Sequence, residues 1–499
     1  MMNFIKKYNL YIFLGCGLYL SFFINLFNDS QSVFSKSISI ISLFFVYTLA
    51  RVNKLFYIPL VILTFLLIIY YPASIYFDIT KQGVFLSTLE TNKSEVFEFI
   101  SFLTLHDYLI VIFSLFILVL HNYTTTQLHS FIKNKYLTYI FLILFSYTYS
   151  INDQISLNLF KIYNLYENYR NELNKINDAK NKHDMWNIIS KQPSKETIVV
   201  VIGESVSKKY LSVYGYKDNT TPFLNNINGR FFSNYISPAG FTALSIPRTL
   251  ATSQNNIINY ENNAVALAKK AGYKTYWISN QGFIGEHDTA ISMLASKSDY
   301  ISYQTDRDYI SNKNDDLKLL DFFNNINKNH EKKVIFIHML GSHPDFCARL
   351  HNYNVVFSST YGKNFNCYLS TIHKMDYFVS NIYRTLKENG QGFSLIYFSD
   401  HGLKNSSNDI HKIRLIHDDT HQDNFNVPFF ILRDNDQQHE VIDQKISGFN
   451  FLNYFAEEIG VTTRNLSNDH ATQRKILSGG MLIPYSNLIL KENIYATKK

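Results

Sequence analysis

Five apolar stretches, residues 11–27, 37–50, 55–77, 107–120 and 136–151, crowd into the first third of a 499-residue chain. A helix that crosses a bilayer needs about 20 mostly apolar residues. The third stretch is long enough alone, and the others need their polar flanks. A cleaved secretory signal is the rival reading of the first stretch. Against it, four more stretches follow and no small-residue cleavage site is evident. The sequence therefore predicts a five-helix transmembrane domain over residues 1–151. Charged residues make up only 17% of the chain, which excludes a disordered chain and a uniformly soluble enzyme. The net charge of +7 is too small for this length to predict a nucleic-acid partner.

The loop charges set an orientation. Lys6 and Lys7 precede the first stretch, Arg51 and Lys54 separate the second from the third, and Lys133 and Lys135 separate the fourth from the fifth. The alternate loops carry Asp29 with Lys36, then Asp78, Glu90, Glu95 and Glu98 beside Lys81 and Lys93. Basic short loops stay in the cytoplasm. The N-terminus is expected inside and everything after residue 151 outside.

Residues 152–195 place Leu157, Phe160, Ile162, Leu165 and Tyr169 at helical spacing. They predict an amphipathic bridge on the membrane surface or, equally, a surface helix of the following domain. From Thr197 the period changes. Short continuous apolar runs at 198–202, 274–279, 334–338, 394–399 and 428–432 alternate with helix-like segments such as 258–271 and 371–388. Runs of this kind indicate a buried, mostly parallel sheet in an α/β domain over 196–499, whose sites form at the carboxyl ends of the strands. Cys347 and Cys367 lie in this exported domain, where a disulfide and two free thiols are both open readings, while Cys16 sits in the first apolar stretch.

Three of the runs end in residues able to hold a metal: Glu204, the pair Asp400-His401, and His343. Carboxylates and imidazole gathered at one sheet edge suit Zn²⁺ or Mn²⁺, although any one of them alone reads as well as a helix cap or an ion-pair partner. In Pro238-Ala-Gly-Phe-Thr242-Ala-Leu-Ser-Ile-Pro247 a small-residue turn delivers a hydroxyl to a helix start. Backbone N–H groups there favour a phosphate, and an adjacent metal would make Thr242 a nucleophile. The plain alternative is a capping threonine.

The ordered set Ile202-Gly-Glu204-Ser205, Tyr214-Gly-Tyr-Lys-Asp-Asn-Thr-Thr221-Pro222, Phe241-Thr242-Ala-Leu-Ser-Ile-Pro247, Gly341-Ser-His343 and Ser399-Asp-His-Gly402 follows the five apolar stretches. Together they resemble the phosphoethanolamine transferases of Gram-negative inner membranes, in the sulfatase/alkaline-phosphatase superfamily. The resemblance implies that Thr242 is the nucleophile that carries phosphoethanolamine. It implies that Glu204, Asp400, His401 and the Thr242 oxygen hold a catalytic Zn²⁺, with a second zinc open and Mn²⁺ disfavoured. His343 matches a histidine near the substrate phosphate, which binds a second zinc or protonates a leaving group. A further family histidine has three contenders, His411, His417 and His421, of which His417 is favoured by its place before Val427-Pro428. Thr91 and Glu95 match the segment lining the lipid-donor site, for which a capped periplasmic helix is the plain alternative.

Two departures stand out. Pro238 and Arg248 occupy positions where many relatives carry a disulfide, so packing or proline stiffness is expected to hold the nucleophile loop instead. Leu403-Lys-Asn-Ser-Ser replaces the usual acidic run, which leaves the acceptor open. The implied reaction moves phosphoethanolamine from phosphatidylethanolamine to lipid A or lipopolysaccharide core. It is carried out by a monomer in the inner membrane, with its N-terminus cytoplasmic and its catalytic domain periplasmic. The rivals are a phosphoglycerol transferase of the lipoteichoic-acid-synthase type using Mn²⁺, a membrane sulfatase, which would need a cysteine or serine nucleophile, and an inactive membrane-anchored binding module.

Overall fold

The computed structural model describes residues 2–25, 33–50, 54–76, 82–90, 103–128, 153–192, 195–254, 256–281, 289–304, 315–407, 412–466 and 475–489, with 96, 97, 99, 100, 136, 139, 140 and 143. The chain forms two units, one of residues 1–80 and 99–167, the other of 81–98 and 168–499.

The first unit is helical. Its helices Met2–Asn25, Val33–Ala50, Lys54–Tyr76 and Leu105–Leu128 coincide with the first four apolar stretches. Leu20, Phe23, Tyr47, Ile68 and Leu118 pack between them. Ile62, Leu66, Ile112 and Val119 point outward and remain more than half exposed. Outward apolar side chains suit helices solvated by lipid. Among the described residues, two helices are long and apolar enough to cross a membrane, over Tyr57–Ile75 and Leu105–Thr125. The apolar part of the first helix is shorter, Asn9–Ile24, because Lys6 and Lys7 occupy its start, where the helix kinks at Tyr8. The expected fifth span at 136–151 lies mostly outside the described residues.

The second unit is built on an eight-stranded sheet. Its strands are β1 (Thr197–Gly203), β2 (Gly229–Phe232), β3 (Lys274–Ser279), β4 (Tyr300–Tyr303), β5 (Lys333–His338), β6 (Phe393–Ser399), β7 (Phe429–Arg433) and β8 (His439–Ile442). Their order across the sheet is β8-β2-β7-β6-β1-β5-β3-β4. Only β7 runs against its neighbours; β6, β1, β5, β3 and β4 are parallel. The sheet is thus mixed, with a parallel core.

Strand β1 shows why its run is continuous rather than alternating. Ile198, Val200 and Ile202 enter the core on one face, while Val199 and Val201 enter the core on the other. Each of these side chains is fully buried, and burial of one such group stabilises the fold by about 1.5–3 kcal/mol. Helices Thr242–Leu250, Ala264–Ala271 and Phe451–Glu458 cover the first face, and Lys363–Glu388 and Leu319–Asn327 cover the second.

Three local expectations resolve here. The 258–271 segment is not one helix. Ile257–Asn263 is a strand paired antiparallel with Ala251–Gln254, and the helix begins at Ala264. The Asn263 side chain accepts the Ala266 amide at 2.9 Å, so the asparagine serves as a cap instead of continuing a helix. The bridge segment is a helix, Asp153–Asn181, and its Leu173, Ile176 and Ala179 pack into the core of the α/β unit. Cys347 and Cys367 are disulfide-bonded, with Cα atoms 4.9 Å apart.

Candidate metal centre

Parallel strands β6, β1, β5 and β3 are consecutive in the sheet, so their carboxyl ends form one edge. Ser399 pairs with Gly203, which sets Asp400 beside Glu204, and the Asp400 amide donates to the Gly203 carbonyl at 3.0 Å. The His401 ring completes the group: Nε2 lies 3.3 Å from Glu204 Oε1 and 3.3 Å from Asp400 Oδ2. All three side chains are buried.

The protein holds each group in a set orientation. His401 Nδ1–H donates to the Gly402 carbonyl at 2.9 Å, which turns Nε2 inward. Asp400 Oδ1 accepts from the amides of Ser205 (3.1 Å) and His401 (2.7 Å). Glu204 Oε1 accepts from Ser205 Oγ at 2.7 Å. Ser205 reaches both carboxylates from a left-handed backbone, φ 59°, a strained state for a residue with a Cβ. Its carbonyl takes the Tyr368 hydroxyl at 3.1 Å, which holds the turn.

Thr242 is the first residue of the helix Thr242–Leu250. Its Oγ1 lies 3.2 Å from Glu204 Oε2 and 3.1 Å from His401 Nε2. Ser245 Oγ donates to the Asp400 carbonyl at 2.6 Å and lies 2.9 Å from Ser237 Oγ, which also donates to that carbonyl. The Thr242 segment is therefore tied to the Asp400 backbone.

Burial alone would raise Glu204, but the hydrogen bond and charge of His401 hold it well below the usual carboxylate range. Burial and the Glu204 charge push the Asp400 carboxyl up to about 7. Burial alone would lower His401, but the neighbouring Asp400 and Glu204 raise it to about 9. Asp400 Oδ2 is buried and accepts no hydrogen bond among the described residues. An orphaned carboxylate oxygen that faces the His401 Nε2 and a second carboxylate is what a bound cation would satisfy. These donors form the group of potential metal ligands found among the described residues, and an O/O/N set suits zinc.

The remaining predicted residues fall as follows. His343 is half-buried on the loop after β5, with its Nδ1 3.2 Å from the Pro344 carbonyl. The loop is pinned: Asp316 accepts the amides of Leu340 (2.9 Å) and Gly341 (2.8 Å), and the Ser342 amide donates to the Glu204 carbonyl at 3.0 Å. Gly341 (φ 53°) is needed there, since an added Cβ would lie 2.9 Å from that same carbonyl. His417 packs edge-on to His401, ring centroids 4.7 Å apart. Removal from water and the like charges of His401 and His343 hold it well below the usual histidine range, so it is neutral at neutral pH. His421 instead caps the turn Gln422–Asn424 through Nδ1. Thr91, Glu95 and His411 lie outside the described residues.

Three contacts were not anticipated. Gln281, just past β3, donates from Nε2 to Glu204 Oε2 at 3.1 Å. The run 274–279 had marked the strand, and the polar residues after it were the available signal. Phe241, immediately before Thr242, stacks on His417 at 5.5 Å. On that ring also presses the helix Gln82–Glu90, through Gly83: a Cβ added there would lie 2.0 Å from the Phe241 ring. Finally, Arg248 holds the helix Thr242–Leu250. Buried, it donates from Nη1 to the Leu244 carbonyl (2.9 Å) and from Nε and Nη2 to Asn256 Oδ1 (3.0 and 2.8 Å). The loop is thus held by arginine hydrogen bonds as well as by packing. Arg248→Ala leaves two buried acceptors and a void, and is expected to cost about 3 kcal/mol. The thermal midpoint in detergent checks this; an unchanged midpoint would remove Arg248 from the scaffold.

A family model described as Sulfatase matches residues 196–461. Phosphoethanolamine transferase OpgE of Escherichia coli K12 is 35% identical over 289 residues, 57% of this chain and 54% of that protein. The chain therefore spans about half the length of that relative. A putative phosphoethanolamine transferase of Haemophilus influenzae is 32% identical over 365 residues, 70% of this chain and 74% of that one. Among solved structures, the integral membrane lipooligosaccharide phosphoethanolamine transferase EptA of Neisseria meningitidis superposes with a TM-score of 0.59 at 17% identity, over 91% of this chain and 96% of that one. The zinc complex of the periplasmic domain of EptC from Escherichia coli superposes at 0.53 and 22% identity, over 61% and 96%. At these identities the two structures speak for the fold.

Proposed function

We propose, for a chain that belongs to the sulfatase family and to its phosphoethanolamine transferase branch, that this site moves phosphoethanolamine from phosphatidylethanolamine to an envelope acceptor, lipid A or lipopolysaccharide core, by way of Thr242. The observation that carries the reading is the Thr242 hydroxyl, 3.2 Å from Glu204 and 3.1 Å from His401, at a helix start. Glu204, Asp400, His401 and Thr242 would hold a zinc ion, as the EptC zinc complex supports. Bound there, zinc supplies Lewis acidity toward the neighbouring hydroxyl and countercharge for phosphoryl oxygens.

The chain's own groups do the rest. Glu204 Oε2 orients the Thr242 hydroxyl, and the free N–H groups at the start of its helix face the incoming phosphate. Thr242 Oγ1 gives up its hydroxyl proton to the neutral His417 Nδ1 and forms the new P–O bond while the bond to the diacylglycerol oxygen breaks. His343 gives that oxygen its proton, and His417, held neutral, leaves its unpartnered Nδ1 lone pair beside the centre. An acceptor oxygen then attacks the phosphothreonine in line and loses its proton to His343, while the P–O bond to Thr242 Oγ1 breaks and Oγ1 takes its proton back from His417. The donor-binding role of Thr91 and Glu95, the cytoplasmic N-terminus and the inner-membrane setting with a periplasmic catalytic unit belong to the same proposal. A lipid donor whose headgroup lies at the membrane surface explains why the catalytic unit shares a chain with apolar helices.

The test is the peptide 231–248, released by trypsin after Arg230 and Arg248. Full-length protein incubated with phosphatidylethanolamine and no acceptor should yield this peptide with phosphoethanolamine on Thr242. A phosphoglycerol adduct from phosphatidylglycerol would replace the donor, and an unmodified peptide with either lipid would sink the covalent route.

A further inference from the structure

We infer that Gln281 is a positioning residue that sets the Glu204 carboxylate for metal binding. The inference rests on the reading of Glu204, Asp400 and His401 as the zinc ligands. Gln281 follows β3, two strands away from the ligand-bearing β1. Its side-chain amide has two hydrogens, and both are used. Nε2 donates to Glu204 Oε2 at 3.1 Å and to the Met339 carbonyl, beyond the end of β5, at 2.9 Å. The backbone is fixed as firmly: the Gln281 amide donates to Ser279 Oγ at 3.1 Å, and Ser279 Oγ donates to the Gln281 carbonyl at 3.0 Å. One amide thus joins the carboxyl ends of β3, β5 and β1.

The chemistry requires a neutral donor at this place. Glu204 Oε1 takes its hydrogen bond from Ser205 Oγ, and Oε2 takes one from Gln281 and one from Thr242. Ser205 fixes only Oε1, and the Thr242 hydroxyl that reaches Oε2 belongs to the group read as the reacting one. With Gln281 added, each oxygen has its own fixed donor and the plane of the carboxylate is set. A cationic donor would compete with the metal for the same charge, and a carboxylate would repel Glu204 in the metal-free protein. Outer partners of this kind typically carry 10–100-fold of metal affinity.

The experiment uses the full chain in detergent. Zinc dissociation constants are measured by chelator competition for wild type, Gln281→Met, which keeps the length and removes the donor, and Gln281→Asn, which keeps the amide but falls one methylene short. Affinity should drop by about 10–100-fold in Gln281→Met and by less in Gln281→Asn. Thermal midpoints of the metal-free proteins should stay together, and the visible spectrum of the Co²⁺-loaded Met variant should differ from wild type. If Gln281→Met does not fold, Gln281→Asn carries the comparison. Zinc affinity within twofold of wild type, or a loss of metal-free stability with unchanged affinity, overturns the assignment. Phosphoethanolamine transfer is assayed alongside on the wild type: its absence there would defeat the transfer reading and leave the zinc comparison standing.

Discussion

Thr242→Ala is expected to lower phosphoethanolamine transfer by at least about 10⁴-fold, the size of effect seen when a covalent nucleophile is removed. The same variant should keep its zinc. Glu204, Asp400 and His401 are oriented by Ser205, the Asp400-His401 backbone and Gly402, none of which depends on the threonine hydroxyl. The helix should also persist, because Thr242 makes no capping hydrogen bond there and alanine is the better helix former. Zinc content by atomic absorption, set beside transfer to a purified envelope acceptor, separates the two effects. Substantial transfer with intact zinc would mean that the donor phosphate is attacked directly by the acceptor, and that Thr242 is only a ligand.

Gly83→Val should be the next most damaging single change, although Gly83 bears no functional group. The new Cβ would overlap the Phe241 ring, with three ring carbons at 2.0, 2.4 and 2.7 Å. Either the helix Gln82–Glu90 lifts away or the ring turns. In the second case the ring carries with it the stack on His417 and the backbone that delivers Thr242. Overpacking of this kind costs about 1–3 kcal/mol, and a misplacement of about 1 Å at a reacting group can cost about 10²-fold in rate. The expected result is a turnover reduced about 10²-fold with zinc content unchanged. Gly83→Ala should fall in the same direction with a smaller effect. Wild-type turnover in Gly83→Val would show that Phe241 has room to yield and that the helix does not govern the site.

The parts of the site that could be read from sequence are those that obey strand logic. Strands β1, β5 and β6 are buried on both faces, so each reads as an unbroken apolar run; Glu204 and Asp400 follow directly on two of them, and His343 lies on the loop after the third. Gln281 follows β3 in the same way, but an amide is not titratable and so gave no chemical signal. The contact between Gly83 and Phe241 was illegible for a different reason. It joins residues far apart in the chain through a missing side chain, and a glycine's lack of atoms carries no information about what fills the space. The error at 258–263 was local: Ile258 and Tyr260, two apart, are buried on one face of a hairpin strand, a spacing that a helix cannot share, and Asn263 ends the strand.

The sheet edge that gathers the ligands also dictates when the centre can exist. Thr242 meets His401 across 159 positions, Ser205 meets Asp400 across 195, and Gln281 meets Glu204 across 77. Among the described residues the groups that could hold a metal come from the ends of two strands far apart in the sequence, so an unfolded or half-synthesised chain would offer zinc only scattered side chains. Metal capture must follow sheet assembly. By mass action its free energy then accrues to the finished fold alone, about 2.7 kcal/mol when zinc stands at a hundred times its dissociation constant. The resting stability of the catalytic unit should therefore report how much zinc its compartment supplies.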